Sequence, residues 1–155
     1  MKKKSLDDWF EEYGESHQHP TNQKIHKVAV PGIFFSVAGF LWLLPSFSVL
    51  GIQIAPYFLV LAFVLGFYAR LSIKALAAMA SFSAFCTMVL IELEAANISI
   101  INLSLAMFVV LWILQFVGHH IEGKKPSFLK DVQFLLIGPA WVFHFYVPLT
   151  RHEQG

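Results

Sequence analysis

Charge is scarce in this chain. Only 14% of its 155 residues are Asp, Glu, Lys or Arg, while 57% are hydrophobic. A soluble domain is roughly a quarter charged. The balance therefore points away from a free soluble domain and toward a membrane protein. A formal net charge of +1 gives no basic surface for nucleic acid. Cysteine is nearly absent, and Cys86 alone cannot form an intrachain disulfide. The glycines form no phosphate-cradling loop, and nothing suggests a nicotinamide or 2-oxoglutarate site. Closely spaced His-x-x-His-His boxes are missing too, which argues against a histidine-box desaturase or hydroxylase. The start, Met1-Lys2-Lys3-Lys4, lacks the apolar stretch of a cleavable signal peptide; Asp7, Asp8, Glu11, Glu12 and Glu15 stand there instead.

What is present is a series of apolar runs, at 28–44, 52–68, 75–91, 101–117 and 132–149. A membrane span needs about 20 such residues, with about 17 as the lower limit. The first four just reach that limit. The fifth contains Gly138-Pro139 and either crosses with a kink or re-enters as a hairpin. The third is rich in alanine and serine, which suits close helix packing. Before the runs, Ser5 or Asp7 can cap a short helix ending near Gly14, with Trp9 and Tyr13 on one face. That face suits lipid headgroups, or docking on the rest of the protein. Pro20 breaks any helix there, and Asn22 can cap a new one carrying His26. The expected fold is an all-α integral membrane protein: four to five short transmembrane helices plus an N-terminal interfacial helix. Residues 1–27 form a polar segment with a first histidine motif. Residues 28–149 form the transmembrane domain, with a second motif in a 118–130 loop, and 150–155 form a tail.

Basic residues are one-sided. Lys2, Lys3, Lys4, Lys24, Lys27, Arg70, Lys74, Lys124, Lys125 and Lys130 all fall on the N-terminal side of the threaded chain. The loop near 92–100 carries Glu92 and Glu94 instead. The positive-inside rule then makes the protein multi-pass, with its N-terminus and both histidine motifs cytoplasmic.

Most of the seven histidines gather at the ends of apolar runs on that side. If the fourth helix continues past 117, Gln115, His119 and Glu122 share a face, and His120 points about 100° away. His17 and His26 can converge if His19-Pro20-Thr21-Asn22 turns the chain. Histidines with a carboxylate and open positions suit non-haem iron and dioxygen chemistry. Lys124 and Lys125 either anchor the inner side or attract a carboxylate headgroup. His144, among Trp141, Phe143 and Phe145, reads as a residue near an interface. Two further readings stay open. One is a haem protein with two axial histidines. The other is a non-enzymatic lipid-binding or assembly factor whose histidines only mark the interface.

Two blocks carry a resemblance. The first is Tyr13-x-x-x-His17-x-x-Pro20-x-Asn22-x-x-x-His26 followed by Val30-Pro31. The second is Trp112-x-x-Gln115-Phe116-Val117-Gly118-His119, then Glu122 and Pro126-Ser127-Phe128-Leu129, with Gly138-Pro139 beyond. Together they resemble the small membrane-bound 2-hydroxy fatty acid dioxygenases. The resemblance implies iron(II) as cofactor and dioxygen as co-substrate. The reaction it implies is α-oxidation of a 2-hydroxy fatty acid or related lipid, shortened by one carbon. It implies His17, His26 and His119 as iron ligands or essential histidines, with Glu122 as a further ligand. The family pattern is expected to hold one more residue between histidine and glutamate, and a longer basic run before the proline. The shorter spacing here makes His120 a competing ligand. Asn22, Gln115, Lys124 and Lys125 are candidates for the substrate head, and a homo-oligomer is left open.

Overall fold

A computed structural model describes residues 4–129 and 132–150. Lys2, Lys3 and Lys130, and the expected tail beyond residue 150, lie outside them. The described residues form α1 (Leu6–Gly14), α2 (Pro20–Trp42), β1 (Phe47–Val49), β2 (Ile52–Ile54), α3 (Pro56–Leu71), α4 (Ile73–Ala95), α5 (Ile100–Glu122) and α6 (Phe134–His144), with a 3-10 turn at Ser127–Leu129.

The expected α1 is present with a full capping box. Ser5 Oγ accepts the Asp8 N–H at 3.2 Å, and the Asp8 carboxylate accepts the Ser5 N–H at 2.8 Å. Its aromatic face does not meet lipid. Leu6, Trp9, Phe10 and Tyr13 are buried in a core shared with α6, where the Trp9 and Phe134 rings stand 5.3 Å apart. The docked arrangement is the one found, because α6 offers an apolar partner within reach.

Pro20 opens a helix rather than breaking one. It is the first residue of α2, where its missing N–H costs nothing. The cap is His19, whose Nδ1 accepts the Thr21 N–H at 3.2 Å, and not Asn22. The first span therefore starts eight residues earlier than the apolar run, and His26 rides inside it.

Helices α2, α4 and α5 are each 23 residues long and apolar enough to cross a membrane. Helices α3 (16 residues) and α6 (11 residues) are shorter apolar helices. The chain is an all-α membrane protein. The fifth run is an 11-residue helix with Pro139 inside it and the His144 ring 5.1 Å from Phe10. The most extensive pairing is α2 with α5. Small residues on α2 permit it: side chains of Leu111 and Ser104 occupy the space a Cβ would need at Gly32 and Gly39. The far faces of α4 and α5 leave Phe85, Met88, Val109, Val110 and Ile113 exposed, as hydrocarbon-facing surfaces should.

Two features differ from expectation. Residues 47–54 form a small antiparallel hairpin turned at Leu50-Gly51, both with positive φ. Helix α5 also runs through Glu122, so the second histidine motif sits on a helix end and the loop begins only at Gly123. Gly123 closes the helix at φ 72°, a left-handed cap that suits glycine.

Candidate metal centre

Three elements bring the histidines together. His17 follows α1, His26 lies in the second turn of α2, and His119 lies in the last turn of α5. Helices α2 and α5 pack antiparallel, so the start of one meets the end of the other. The rings stand 4.4 Å apart for His17 and His26, and 4.9 Å for each with His119. One nitrogen from each ring lies within 4.8 Å of the others. All three residues are buried, at 1%, 0% and 4% exposure.

The hydrogen bonds on the outer side of the rings fix their tautomers. His17 Nδ1 is 2.6 Å from the Tyr13 carbonyl, and His26 Nδ1 is 3.0 Å from the Asn22 carbonyl. A carbonyl only accepts, so each Nδ1 carries the proton and each Nε2 keeps its lone pair. His17 Nε2, His26 Nε2 and His119 Nδ1 are buried and lack hydrogen bonds of ordinary geometry among the described residues. Gln115 stands beside the His26 ring. Buried polar atoms are normally paired, and leaving one unpaired costs about 1–3 kcal/mol. Three such nitrogens within 4.8 Å of one another could hold a metal ion, and His17 and His26 are oriented through their Nδ1 atoms as metal-binding histidines usually are. Burial and the neighbouring His26 push the His17 pKa down to about 3, which keeps the imidazole neutral and able to ligate. The Tyr13 ring stacks on His17 at 4.1 Å and holds its plane.

Glu122 stands elsewhere. Its carboxylate accepts the Gln18 N–H at 2.8 Å, the His19 N–H at 2.7 Å and the Asn22 side-chain N–H at 3.2 Å. It clasps the end of α5 to the turn that carries His17 into α2. Asn22 is fully buried and also donates to the Ser16 carbonyl at 3.2 Å. It presses on Gly118, where a Cβ would collide with Asn22 Oδ1. His120 is exposed, turned away from the cluster as helical geometry requires. Lys124 Nζ donates to the Glu15 carbonyl, and Lys125 is exposed. Neither lysine lines the cavity described next. The sequence reading missed the Ser16 and Ser127 hydroxyls, which bond to each other and tie the 3-10 turn against the His17 loop. The Ser127 in the second motif was the available signal.

An apolar cavity of about 440 Å³ starts at the cluster. Tyr13, His17, Gln115 and His119 line one end, and Leu41, Tyr57 and Leu61 line the other. Between them run Val30, Ile33, Phe34, Val37 and Ala38, a stripe at three- and four-residue spacing along α2. Val37, Val60 and Leu135 in its wall are also exposed on the outer surface, so the cavity has a side opening among apolar helices. A buried three-histidine centre at the head of a long greasy pocket can hold a metal ion and a polar-headed lipid together.

No curated protein and no solved structure matches the chain. A family model does, over residues 3–148, and it is described as 2-hydroxy-palmitic acid dioxygenase Mpo1-like. Since the match spans nearly the whole chain, with both histidine motifs inside it, the protein belongs to the Mpo1-like family.

Proposed function

We propose that the protein is an iron(II)-dependent dioxygenase that shortens 2-hydroxy fatty acids by one carbon. The observation that carries this reading is the meeting of three buried histidine nitrogens that lack hydrogen bonds of ordinary geometry with one end of an apolar cavity. His17, His26 and His119 would hold the iron. Bound iron(II) supplies the one-electron chemistry through which dioxygen reacts with a closed-shell acid.

The residues account for the rest. Three neutral imidazoles would hold the ion without supplying any charge to it. A 2-hydroxycarboxylate would bring its hydroxyl and carboxylate oxygens to the same end of the cavity. The apolar stripe on α2 receives its tail, and Gln115 stands where the polar head would lie. Burial of the centre keeps bulk water from the reacting carbon. The overall balance needs no further reductant: R–CH(OH)–COOH and O2 give R–COOH, CO2 and H2O, with the four electrons lost by the acid taken up by dioxygen. That agrees with a chain that carries no nicotinamide or 2-oxoglutarate motif. The one-sided lysines support a cytoplasmic position for the histidine end.

A haem reading fits the geometry poorly. Rings whose centroids stand 4.4–4.9 Å apart leave no slab for a porphyrin between any pair. The deciding experiment is metal analysis of purified protein with product analysis on 2-hydroxy C16 acid under oxygen. Near-stoichiometric iron and the C15 acid are expected. Protein that neither retains nor takes up a divalent metal would overturn the reading, and product-free protein with bound metal would favour a lipid-binding role.

A further inference from the structure

The cavity has a wall at the end away from the histidines, where Tyr57 stands with Leu41 and Leu61. Tyr57 opens α3 just after the hairpin and is only 5% exposed. Its ring stands 5.3 Å from Trp42, at the end of α2. Its hydroxyl lies 2.6 Å from Thr87 Oγ1 on α4, and Thr87 Oγ1 in turn donates to the Ser83 carbonyl at 2.8 Å. Thr87 has spent its single proton, so Tyr57 is the donor to it. A ring held by a hydroxyl bond on one side and an indole on the other is fixed in place. Trp42 is itself pinned, its Nε1 donating to Glu94 at 3.2 Å.

Chain geometry gives the depth. From Val30 to Leu41 the α2 stripe rises about 16 Å, at about 1.5 Å per residue. From His119 to Phe108 along α5 the rise is about the same. An extended chain of tetrahedral carbons, with bonds of about 1.5 Å at about 111°, advances about 1.25 Å per carbon. The stripe therefore accommodates roughly 13 extended carbons. With the head carbons at the histidines, the total is about 15 or 16 before Tyr57 is met.

We infer that Tyr57 is the chain-length stop of the acyl pocket: it sets the longest tail that seats with its head at the three histidines. The inference rests on the proposed substrate class and assigns a specificity role to a residue far from the reacting carbon.

Two measurements test it on the full chain in detergent or nanodiscs. One is kcat/KM for saturated 2-hydroxy acids from C12 to C22. The other, independent of turnover, is displacement of a fluorescent fatty acid from metal-free protein by the same acids. Each methylene buried in an apolar pocket is worth about fourfold in affinity. Affinity should climb by that factor per carbon to about C16 and then stop climbing. In Tyr57→Ala the climb should continue for two to three more carbons, a gain of about tenfold or more at C18 and C20. Leu41→Trp fills the far end and should end the climb two or more carbons earlier. Unchanged profiles in a folded Tyr57→Ala protein would overturn the inference and send the tail through the side opening at Val37 and Val60. If Tyr57→Ala does not fold, the Leu41→Trp profile decides, and an unshifted one overturns it equally. Wild-type protein that turns over no hydroxy acid, while the Tyr57→Ala and Leu41→Trp variants still shift the displacement profile, would sink the dioxygenase reading and leave the stop in place.

Discussion

Glu122 Oε2 accepts the backbone N–H of His19 at 2.7 Å, joining residues 103 apart in sequence at the edge of the three-histidine cluster. With the Gln18 N–H and the Asn22 amide it forms three bonds from one carboxylate. Glu122 is thus placed to act on the centre by positioning the loop that carries His17. In Glu122→Ala, metal affinity should fall on the order of 10–100-fold, the usual effect of losing a supporting partner. Excess metal should restore occupancy. Cobalt(II)-substituted Glu122→Gln should keep the absorption spectrum of the wild-type site; a changed ligand-field spectrum would mean that the carboxylate ligates directly.

Replacing His17, His26 or His119 with alanine removes one of three donors. Metal content should drop to background in each, and chain shortening with it. Circular dichroism should stay helical, because α2 and α5 are held by packing along their whole length. His120→Ala, at an exposed position, should leave metal content unchanged. Loss of metal in His120→Ala alone would show that the cluster is chosen wrongly.

Gly118 is tight against Asn22. Gly118→Ala drives a methyl into Asn22 Oδ1 and should destabilise the protein by about 1–3 kcal/mol, the usual cost of overpacking. Asn22→Ser shortens that side chain. The double variant should recover part of the loss in melting temperature, which a double-mutant cycle in detergent would measure.

The metal-free protein should lose stability in acid. The pKa of His17 is lowered from 6.5 in an ordinary histidine to about 3 by burial and by His26. Below pH 6.5 the unfolded chain therefore binds a proton that the folded chain refuses. Stability from this group is full above about 6.5 and declines as pH falls toward 3. Melting curves from pH 7 to pH 4 should show the decline, and His17→Gln should lessen it.

Much of this was readable from residue order alone. Hydrophobic runs foretold an all-α membrane protein, because a bilayer leaves the backbone few other ways to satisfy itself. Ser5 and its acids foretold α1, since a cap is a local event. Helical spacing separated His119 from His120 before any coordinates. Where local signals misled, a distant partner was the reason. Pro20 looked like a breaker and is a helix start, with His19 as its cap. The aromatic face of α1 suited lipid headgroups and docking alike, and packing on α6 decided for docking. Tyr57 carried no signal at all, because nothing in its neighbours says that Trp42 and Thr87 will fix it at the end of a pocket.

The amino-acid sequence by itself determined the solvent this chain needs, the helices it forms and the three histidines worth watching. The first two follow from composition and from periods of a few residues, and the three histidines follow from the resemblance of their two motifs to a known family. Only the tertiary structure decided that the nitrogens of His17, His26 and His119 come together, that Glu122 spends its oxygens on the loop beside them, and that an apolar cavity begins there. These depend on α2 packing antiparallel to α5 through Gly32 and Gly39. Contacts between residues about a hundred positions apart are written in no local pattern; they exist only once packing has chosen which helix faces meet.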